Sequence, residues 1–293
     1  MSKETRGILY VLIAAVLFGF MPIWVKQANA AGMGTLEICF IRSLIAGVIM
    51  FIVLLLRRQS LRLQAKQLKW LTLAGLLVYA PTLLSLYAAY LYLPAGVATS
   101  LHYLFPVLVM LLSWLVLGRQ LRRLQWLAVF MSLVGIWCMS GSSSGGSWIG
   151  VGLALASALL FAVYILMIDN PALKEVSSMV IIFYVCMFTA AFFFIVLLAR
   201  GQWPVVFNPV GWLYCCLVAI LCAAVAMILF IIGVKSIGPD NTAILSTLEP
   251  VVSIVAGIVI LGEILTPTII IGCLLVLGAV FIISIREQAS ARH

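Results

Sequence analysis

Charged residues are scarce in this sequence of 293 residues. Only 9% of its residues are charged, whereas 66% are hydrophobic and the mean hydropathy is +1.28. A soluble domain of this length cannot bury so much apolar side chain in one core, which excludes that class of protein. The chain also lacks any polar connection long enough to form a separate soluble domain.

Motifs for catalysis and metal binding are equally sparse. The chain has two histidines, and none of its seven cysteines belongs to a CxxC pair. It contains neither an HExxH motif nor a phosphate-binding loop with its lysine. Residues 141–145 match G-x-S-x-G, but they lie in a Ser/Gly-rich connection rather than in a strand-turn-helix unit. The sequence therefore predicts no enzyme and no bound metal or cofactor.

Apolar runs of about twenty residues occur along the whole chain, and each is long enough to cross the roughly 30 Å hydrocarbon core of a bilayer as a helix. This pattern predicts an all-α integral membrane protein in a lipid bilayer. We expect ten transmembrane helices, at Gly7–Gln27, Thr35–Leu56, Trp70–Tyr90, Val97–Leu117, Leu124–Ser140, Trp148–Ile168, Ser178–Ala199, Gly211–Val234, Asn241–Leu261 and Pro267–Ile285.

The basic residues fall almost entirely on one side of these spans. With a cytoplasmic N-terminus, only Lys26, Arg42 and Arg200 of the 17 lysines and arginines lie away from the cytoplasmic side. This positive-inside bias predicts that both termini are cytoplasmic and that the protein is a multi-pass component of the cytoplasmic (inner) membrane. It also explains the net charge of +9 without nucleic acid as a partner.

The sequence is internally repeated. A shift of 144 residues aligns YLFPVLVMLLSWLVLGR (103–119) with TLEPVVSIVAGIVILGE (247–263), and a shift of 143 places Gly7 on Gly150. We therefore predict two five-helix domains, residues 1–140 and 148–293, joined by an external Ser/Gly-rich linker at residues 141–147. Because five is odd, the second repeat must be inverted in the membrane, as in secondary transporters.

Ten spans in two halves, with Pro106 and Pro250 early in the fourth span of each and Gly262-Glu263 at its end, resemble the EamA branch of the drug/metabolite transporter superfamily. The resemblance implies a central cavity lined mainly by the first, third and fourth spans of each half. It also implies export of amino acids or related metabolites. The family often has glutamate at both Gly-Glu positions, whereas this chain has Arg119 in the first.

The two repeat-related prolines disrupt their helices at matching places. Because proline has no N–H, Pro106 deprives the carbonyl of His102 of its helical partner, and Pro250 does the same to Ser246. An unpaired carbonyl in hydrocarbon must be satisfied by a neighbour, by water or by a ligand. The prolines therefore indicate either a paired binding site or two kinks satisfied locally.

Polar side chains follow one face of the ninth span: Thr242, Ser246, Glu249 and Ser253. Glu249 lies eight residues past Asn241, about 12 Å into the span at 1.5 Å per residue. A charge at that depth costs from about 2.5 to more than about 10 kcal/mol, so we expect Glu249 to face the protein interior or a wet cavity. It would couple transport to protons, recognise a cation, or act as a protonated structural hydrogen-bond donor.

Further candidate site residues are His102, Tyr103, Tyr79, Tyr87 and Tyr164, which place polar groups inside spans. Trp24, Tyr90 and Tyr92 are interpreted as interfacial anchors. Arg42 and Glu37 open the second span and are interpreted as a local or snorkelling charge pair.

These observations favour a secondary active carrier that exports small polar or amphipathic metabolites by alternating access, with Glu249 as a candidate for proton coupling. An uptake carrier or facilitative channel of the same fold is the alternative. A non-transporting scaffold fits the inverted halves less well.

Overall fold

The computed structural model describes residues 3–117, 123–140, 147–205 and 207–291, and these residues form helices without strands. We number the ten helical spans in chain order. They are α1 (Lys3–Ala30), α2 (Thr35–Leu56), α3 (Ala65–Ala89), α4 (Ala95–His102 and Phe105–Leu117), α5 (Arg123–Ser140), α6 (Trp148–Ile168), α7 (Ser178–Ala199), α8 (Pro209–Ile237), α9 (Pro239–Ser246 and Leu248–Leu261) and α10 (Pro267–Ala291).

Eight of the ten spans contain a described helix that is long and apolar enough to cross a membrane. The remaining two, α5 and α10, contain the shorter apolar segments Arg123–Met139 and Pro267–Ile282. The structure confirms the predicted all-α class, and α2, α6 and α7 begin and end at the predicted residues. Helices α1 and α8 extend beyond the predicted bounds because polar residues at their ends continue the helix past the apolar run.

The packing of the spans repeats between the two halves. Helix α1 packs against α8 and α9, and its counterpart α6 packs against α3 and α4. The pairs α2–α7 and α5–α10 are each made of two equivalent helices. Exchanging the halves therefore maps this set of contacts onto itself, as expected for an inverted five-helix repeat.

The irregular backbone follows the same repeat. Residues Ala74–Tyr79 of α3 and Val218–Ala226 of α8 form π-helix, and the two segments begin 144 residues apart. Helix α4 breaks after His102, and α9 breaks after Ser246, again 144 residues apart. Pro106 and Pro250 follow these breaks, as the missing proline N–H requires. Arg119 and linker residues 141–146 lie outside the described residues.

Small residues let the two halves approach closely at the centre. Gly19 of α1 lies against α9, where an added Cβ would be 2.6 Å from Cβ of Val252 and 2.8 Å from the carbonyl oxygen of Glu249. Such contacts are typical of helix interfaces in membranes, where close backbone packing replaces the hydrophobic effect. The first span therefore passes directly beside the carboxylate-bearing turn of the ninth.

Candidate functional site

The break in α9 is closed by a side chain from the other half of the protein. The hydroxyl of Tyr103 lies 2.8 Å from the carbonyl oxygen of Ser246 and 3.0 Å from Oε2 of Glu249, and it donates to both. A phenol has one hydrogen, so this donor is shared between the two acceptors. The carbonyl that Pro250 deprives of its helical partner thus receives a partner from α4.

Glu249 is partly buried at this junction. In the described parts of the chain, Lys26 and Glu263 form an ion pair, and Glu249 forms none. No described lysine or arginine therefore neutralises the charge of Glu249. Its carboxyl group therefore has one donor, Tyr103, and further acceptor capacity. Such a group can bind a proton or a substrate cation.

The predicted polar stripe of α9 extends into a hydrogen-bonded network. Ser253 is fully buried, and its Oγ lies 3.1 Å from Oγ1 of Thr99 on α4. The same Thr99 oxygen lies 3.5 Å from the hydroxyl of Tyr90. Tyr90 is only 1% exposed, so its interpretation as an interfacial anchor is wrong. Thr242 is also buried, but its hydroxyl donates back to the carbonyl of Gly238 in its own helix, at 2.8 Å.

His102 points to a different neighbour. Its Nδ1 lies 2.9 Å from Oγ of Ser157 on α6, and its ring contacts Phe161 and Phe105. Ser157 donates its one hydroxyl hydrogen to the carbonyl of Ala154 at 2.7 Å, so its oxygen accepts the bond from Nδ1–H of His102. The two helix breaks thus have different partners, and a pocket shared by His102 and Ser246 stays a prediction.

A second polar cluster surrounds Arg42, which sequence interpretation had paired with Glu37. That interpretation is wrong. Glu37 instead accepts from the backbone N–H of Gly34 at 2.8 Å, at the start of its own helix. Arg42 is 6% exposed and lies over the ring of Tyr87, with Cζ 5.9 Å from the ring centroid.

Three of the predicted tyrosines, Tyr79, Tyr87 and Tyr164, form a group with Tyr90 next to this arginine. The Tyr79 hydroxyl lies within hydrogen-bonding reach of the Arg42 guanidinium, and the Tyr79 and Tyr164 ring centroids are 5.0 Å apart. The ring centroids of Tyr87 and Tyr90 are 6.0 Å apart. We call these five residues the arginine cluster: Arg42, Tyr79, Tyr87, Tyr90 and Tyr164. Sequence reasoning missed Arg42 because a charge seven residues into a span also fits a snorkelling position.

Two clefts lie in different parts of the described structure. One, of about 520 Å³, is lined by polar residues between the α2–α3 and α6–α7 connections, including Gln59, Arg62 and Glu175. The other, of about 330 Å³, is apolar and lies between α1, α8 and α9. Its wall includes Leu17 and Leu221, and Leu17 accepts a hydrogen bond from the thiol of Cys222 at 3.1 Å. Neither cleft is lined by Glu249 or His102.

No set of three His, Cys, Asp or Glu residues in the described ranges is arranged to hold a metal ion. The site is instead a set of separate polar groups inside an apolar bundle, divided between two inverted halves. Arranged in this way, it defines a multi-pass membrane protein of the inverted-repeat transporter class.

Comparison with known proteins agrees with this class. The model of the EamA-like transporter family matches the chain twice, over residues 5–141 and 148–285, and the chain belongs to this family. It is 28% identical to the uncharacterized transporter YvbV of Bacillus subtilis (strain 168) over 98% of this chain and 94% of that protein. An uncharacterized transporter of Archaeoglobus fulgidus is also 28% identical, over 93% of this chain and 94% of its own length.

A crystal structure of another protein shares the fold. It superimposes with a TM-score of 0.68 over 98% of this chain and 99% of that one, at 20% sequence identity. The match to the family model and the similarity to transporters confirm the resemblance to the drug/metabolite transporter superfamily, and the protein is a membrane transporter.

Proposed function

We propose that this protein is a secondary active carrier, without enzymatic activity, that exports amino acids or related small metabolites from the cytoplasm by alternating access. The observation that carries this proposal is the Glu249 carboxyl group at the break of α9, joined to the other half by Tyr103 and unneutralised by any described lysine or arginine. A lone carboxyl group inside a membrane bundle is costly to keep, which favours a functional role.

The arrangement of the halves supports a carrier over a channel or a scaffold. Residues 1–140 and 148–293 would act as two domains that rock about the contacts they share, with residues 141–147 as an external linker and both termini in the cytoplasm. The breaks in α4 and α9 would serve as hinges for this motion. Export and amino acids as substrates rest on resemblance to the family, with uptake or facilitated diffusion as the alternative.

The substrate class can be tested by comparing metabolites in the medium and in cell extracts of strains with and without this protein. Export predicts that one or more amino acids or their relatives accumulate in the medium only when the protein is present. Purified protein in lipid vesicles then separates mechanisms, because a carrier shows saturation and counterflow whereas a channel does not. Accumulation inside the cell instead would establish uptake.

The role of Glu249 is tested by Glu249→Gln, which keeps the shape and an acceptor for Tyr103 but removes charge and titration. We expect normal membrane abundance with proton-driven net flux reduced by on the order of tenfold or more, consistent with loss of a buried charged group. Survival of substrate exchange in the variant would identify a coupling group, whereas loss of binding of cationic or zwitterionic substrates alone would identify an amine ligand.

Glu4→Gln is the matched control, because Glu4 is exposed near the N-terminus. It should leave flux and its dependence on pH unchanged. The external pH is varied between about 5.5 and 8, a range that brackets a coupling group able to gain and lose a proton near neutral pH. Normal net transport by Glu249→Gln across this range would exclude proton coupling and cation recognition by this carboxyl and leave only a structural role.

A further inference from the structure

Arg42 is a buried cation without a described anionic partner. It lies seven residues after the start of α2, about 10 Å along the helix. Other parts of the protein bury it, so that it is only 6% exposed. Its Nε atom has no hydrogen-bond partner in the described structure. An arginine in this position is costly unless it meets an anion or has strong hydrogen bonds.

The surrounding groups are neutral and largely aromatic. Tyr87 contributes its ring face, and Tyr79 contributes a hydroxyl within hydrogen-bonding reach. Two described acids that could neutralise it are otherwise engaged, since Glu37 of the same helix caps Gly34 and Glu249 accepts from Tyr103. The guanidinium is therefore held in place by its neighbours while its charge is not neutralised by them.

Two irregular helix segments meet at this arginine. Tyr79 belongs to the π-helix of α3, and the repeat-related π-helix of α8, Val218–Ala226, packs directly against α2, the helix that carries Arg42. Single π-helical turns within α-helices occur often at functional sites, where they re-aim side chains. The repeat thus places residues of both π segments near Arg42 or its helix.

We infer that Arg42 binds the carboxylate of the transported solute. A guanidinium presents a planar fork of N–H donors that matches a carboxylate in two parallel hydrogen bonds. A single arginine in neutral surroundings balances one negative charge, which favours a carboxylate over a doubly charged phosphate. The tyrosine rings of the arginine cluster offer apolar walls to the rest of a small solute.

The position of Glu249 would orient an amino acid bound at Arg42. This part of the inference rests on the proposed function. Tyr90 and Cys222 each lie within electrostatic reach of both Arg42 and Glu249. The hydroxyls of Tyr90, Thr99 and Ser253 continue from the arginine cluster to the α9 stripe. An amino acid held at Arg42 by its carboxylate would direct its ammonium group along this row of hydroxyls toward the α9 stripe, which carries Glu249.

An apolar cleft near Cys222 could hold the apolar part of an amphipathic solute. The apolar cleft between α1, α8 and α9 includes Leu17 and Leu221 in its wall, and both adjoin Cys222. A solute side chain in that cleft would lie beside Leu17 and Cys222.

The test compares each L-amino acid with its carboxyl amide, which keeps the amine and side chain but lacks the negative charge. Purified full-length protein is heated with each compound, and binding is measured by the shift of the melting temperature. We expect at least one amino acid to stabilise the wild-type protein and its amide to bind on the order of 30-fold more weakly. This factor corresponds to the lower end of the range of binding free energy lost when one member of a buried charge pair is removed.

Variants then assign this preference to a residue. Arg42→Gln should remove the preference for the acid over the amide, and Arg42→Lys should retain part of it because lysine keeps the charge but lacks the planar fork. Arg200→Gln, which alters an exposed arginine at the end of α7, should behave as wild type. If Arg42→Gln fails to fold, the wild-type comparison of acid with amide and Arg42→Lys still decide the question.

Counterflow in vesicles separates failure of this inference from failure of the proposed function. Equal transport of acids and amides, or an undiminished acid preference in Arg42→Gln, would overturn the carboxylate site while the carrier stands. Arg42-dependent binding of amino acids without any counterflow would support the site and contradict the carrier. Absence of binding by every acid tested would overturn the inference.

Discussion

At the scale of single residues, one hydroxyl connects the repeat-related breaks. Tyr103 follows the break of α4 directly, and its oxygen donates to the carbonyl exposed by the break of α9 and to Glu249. The sequence predicts that Ser246 lacks a helical donor, since Pro250 is four residues later. It does not predict which side chain supplies the donor, because that depends on how the halves pack.

Tyr103→Phe removes this donor and little else. We expect a loss of about 1–3 kcal/mol in the free energy of unfolding, since the Ser246 carbonyl and the Glu249 carboxyl lose a buried partner. A lower melting temperature in detergent would report this loss, together with altered pH dependence of transport. Tyr92→Phe is the control, because Tyr92 is 45% exposed beyond the end of α3 and should leave both measurements unchanged.

Arg42 shows a limit of sequence reasoning at the same scale. Its distance from the start of α2 fits both a snorkelling side chain and a buried one. The burial of Arg42 against Tyr87 depends on α3, whose register relative to α2 is a tertiary property. Tyr79 and Tyr87 were candidates only as isolated hydroxyls, and their common neighbour Arg42 follows from the fold.

At the scale of helices, the ends of α1, α4 and α9 are joined by Glu263. Its carboxylate accepts from Lys26 Nζ at 2.6 Å and from the backbone N–H of Ala95, 2.9 Å from each carboxylate oxygen. Gly262 makes this geometry accessible, because its φ of 66° turns the chain back at the end of α9. A carboxylate at the first turn of α4 is also favoured by the helix dipole.

Glu263→Gln should loosen this connection between the three helices. The amide loses the ion pair with Lys26 and retains only one acceptor for Ala95, so we expect the unfolding free energy to fall by about 1–3 kcal/mol. Hydrogen exchange should increase around Ala95 and at the end of α9. Glu37→Gln is the control, since Glu37 caps only Gly34 beside its own helix, and its effect should stay within α2.

Faster exchange throughout the bundle in Glu263→Gln, rather than at these helix ends, would indicate general unfolding and contradict a local connection. The sequence identifies Glu263 only as part of the Gly-Glu motif at the end of the ninth span. Its contacts with Lys26 and Ala95 join residues 237 and 168 positions apart in the chain, which no local pattern indicates.

At the scale of the whole molecule, the repeat is symmetric in backbone and asymmetric in chemistry. The shift of 144 residues relates the π segments and the helix breaks, so the fold was largely predictable from the sequence. The same shift relates Glu249 to Phe105 and Ser246 to His102. Two near-equivalent halves therefore supply different groups to the centre, which is what binding an asymmetric solute requires.

The orientation of the two halves makes a final prediction about accessibility. Lysines and arginines concentrated at one end of the bundle should keep that end in the cytoplasm, because translocating them is unfavourable. Single cysteines at Lys66 and beside Arg200 are expected at opposite faces, and a cysteine at Ser142, outside the described residues, is expected at the same face as Arg200.

Membrane-impermeant thiol reagents applied to intact cells should therefore label the Ser142 and Arg200 positions and leave the Lys66 position unlabelled until the cells are lysed. The parent chain is the control, because five of its seven free cysteines are buried and all lie within helical spans. Labelling of the Lys66 position in intact cells would place the basic end outside. That result would contradict the prediction that both termini are cytoplasmic. The proposed carboxylate site would then be oriented the opposite way across the membrane.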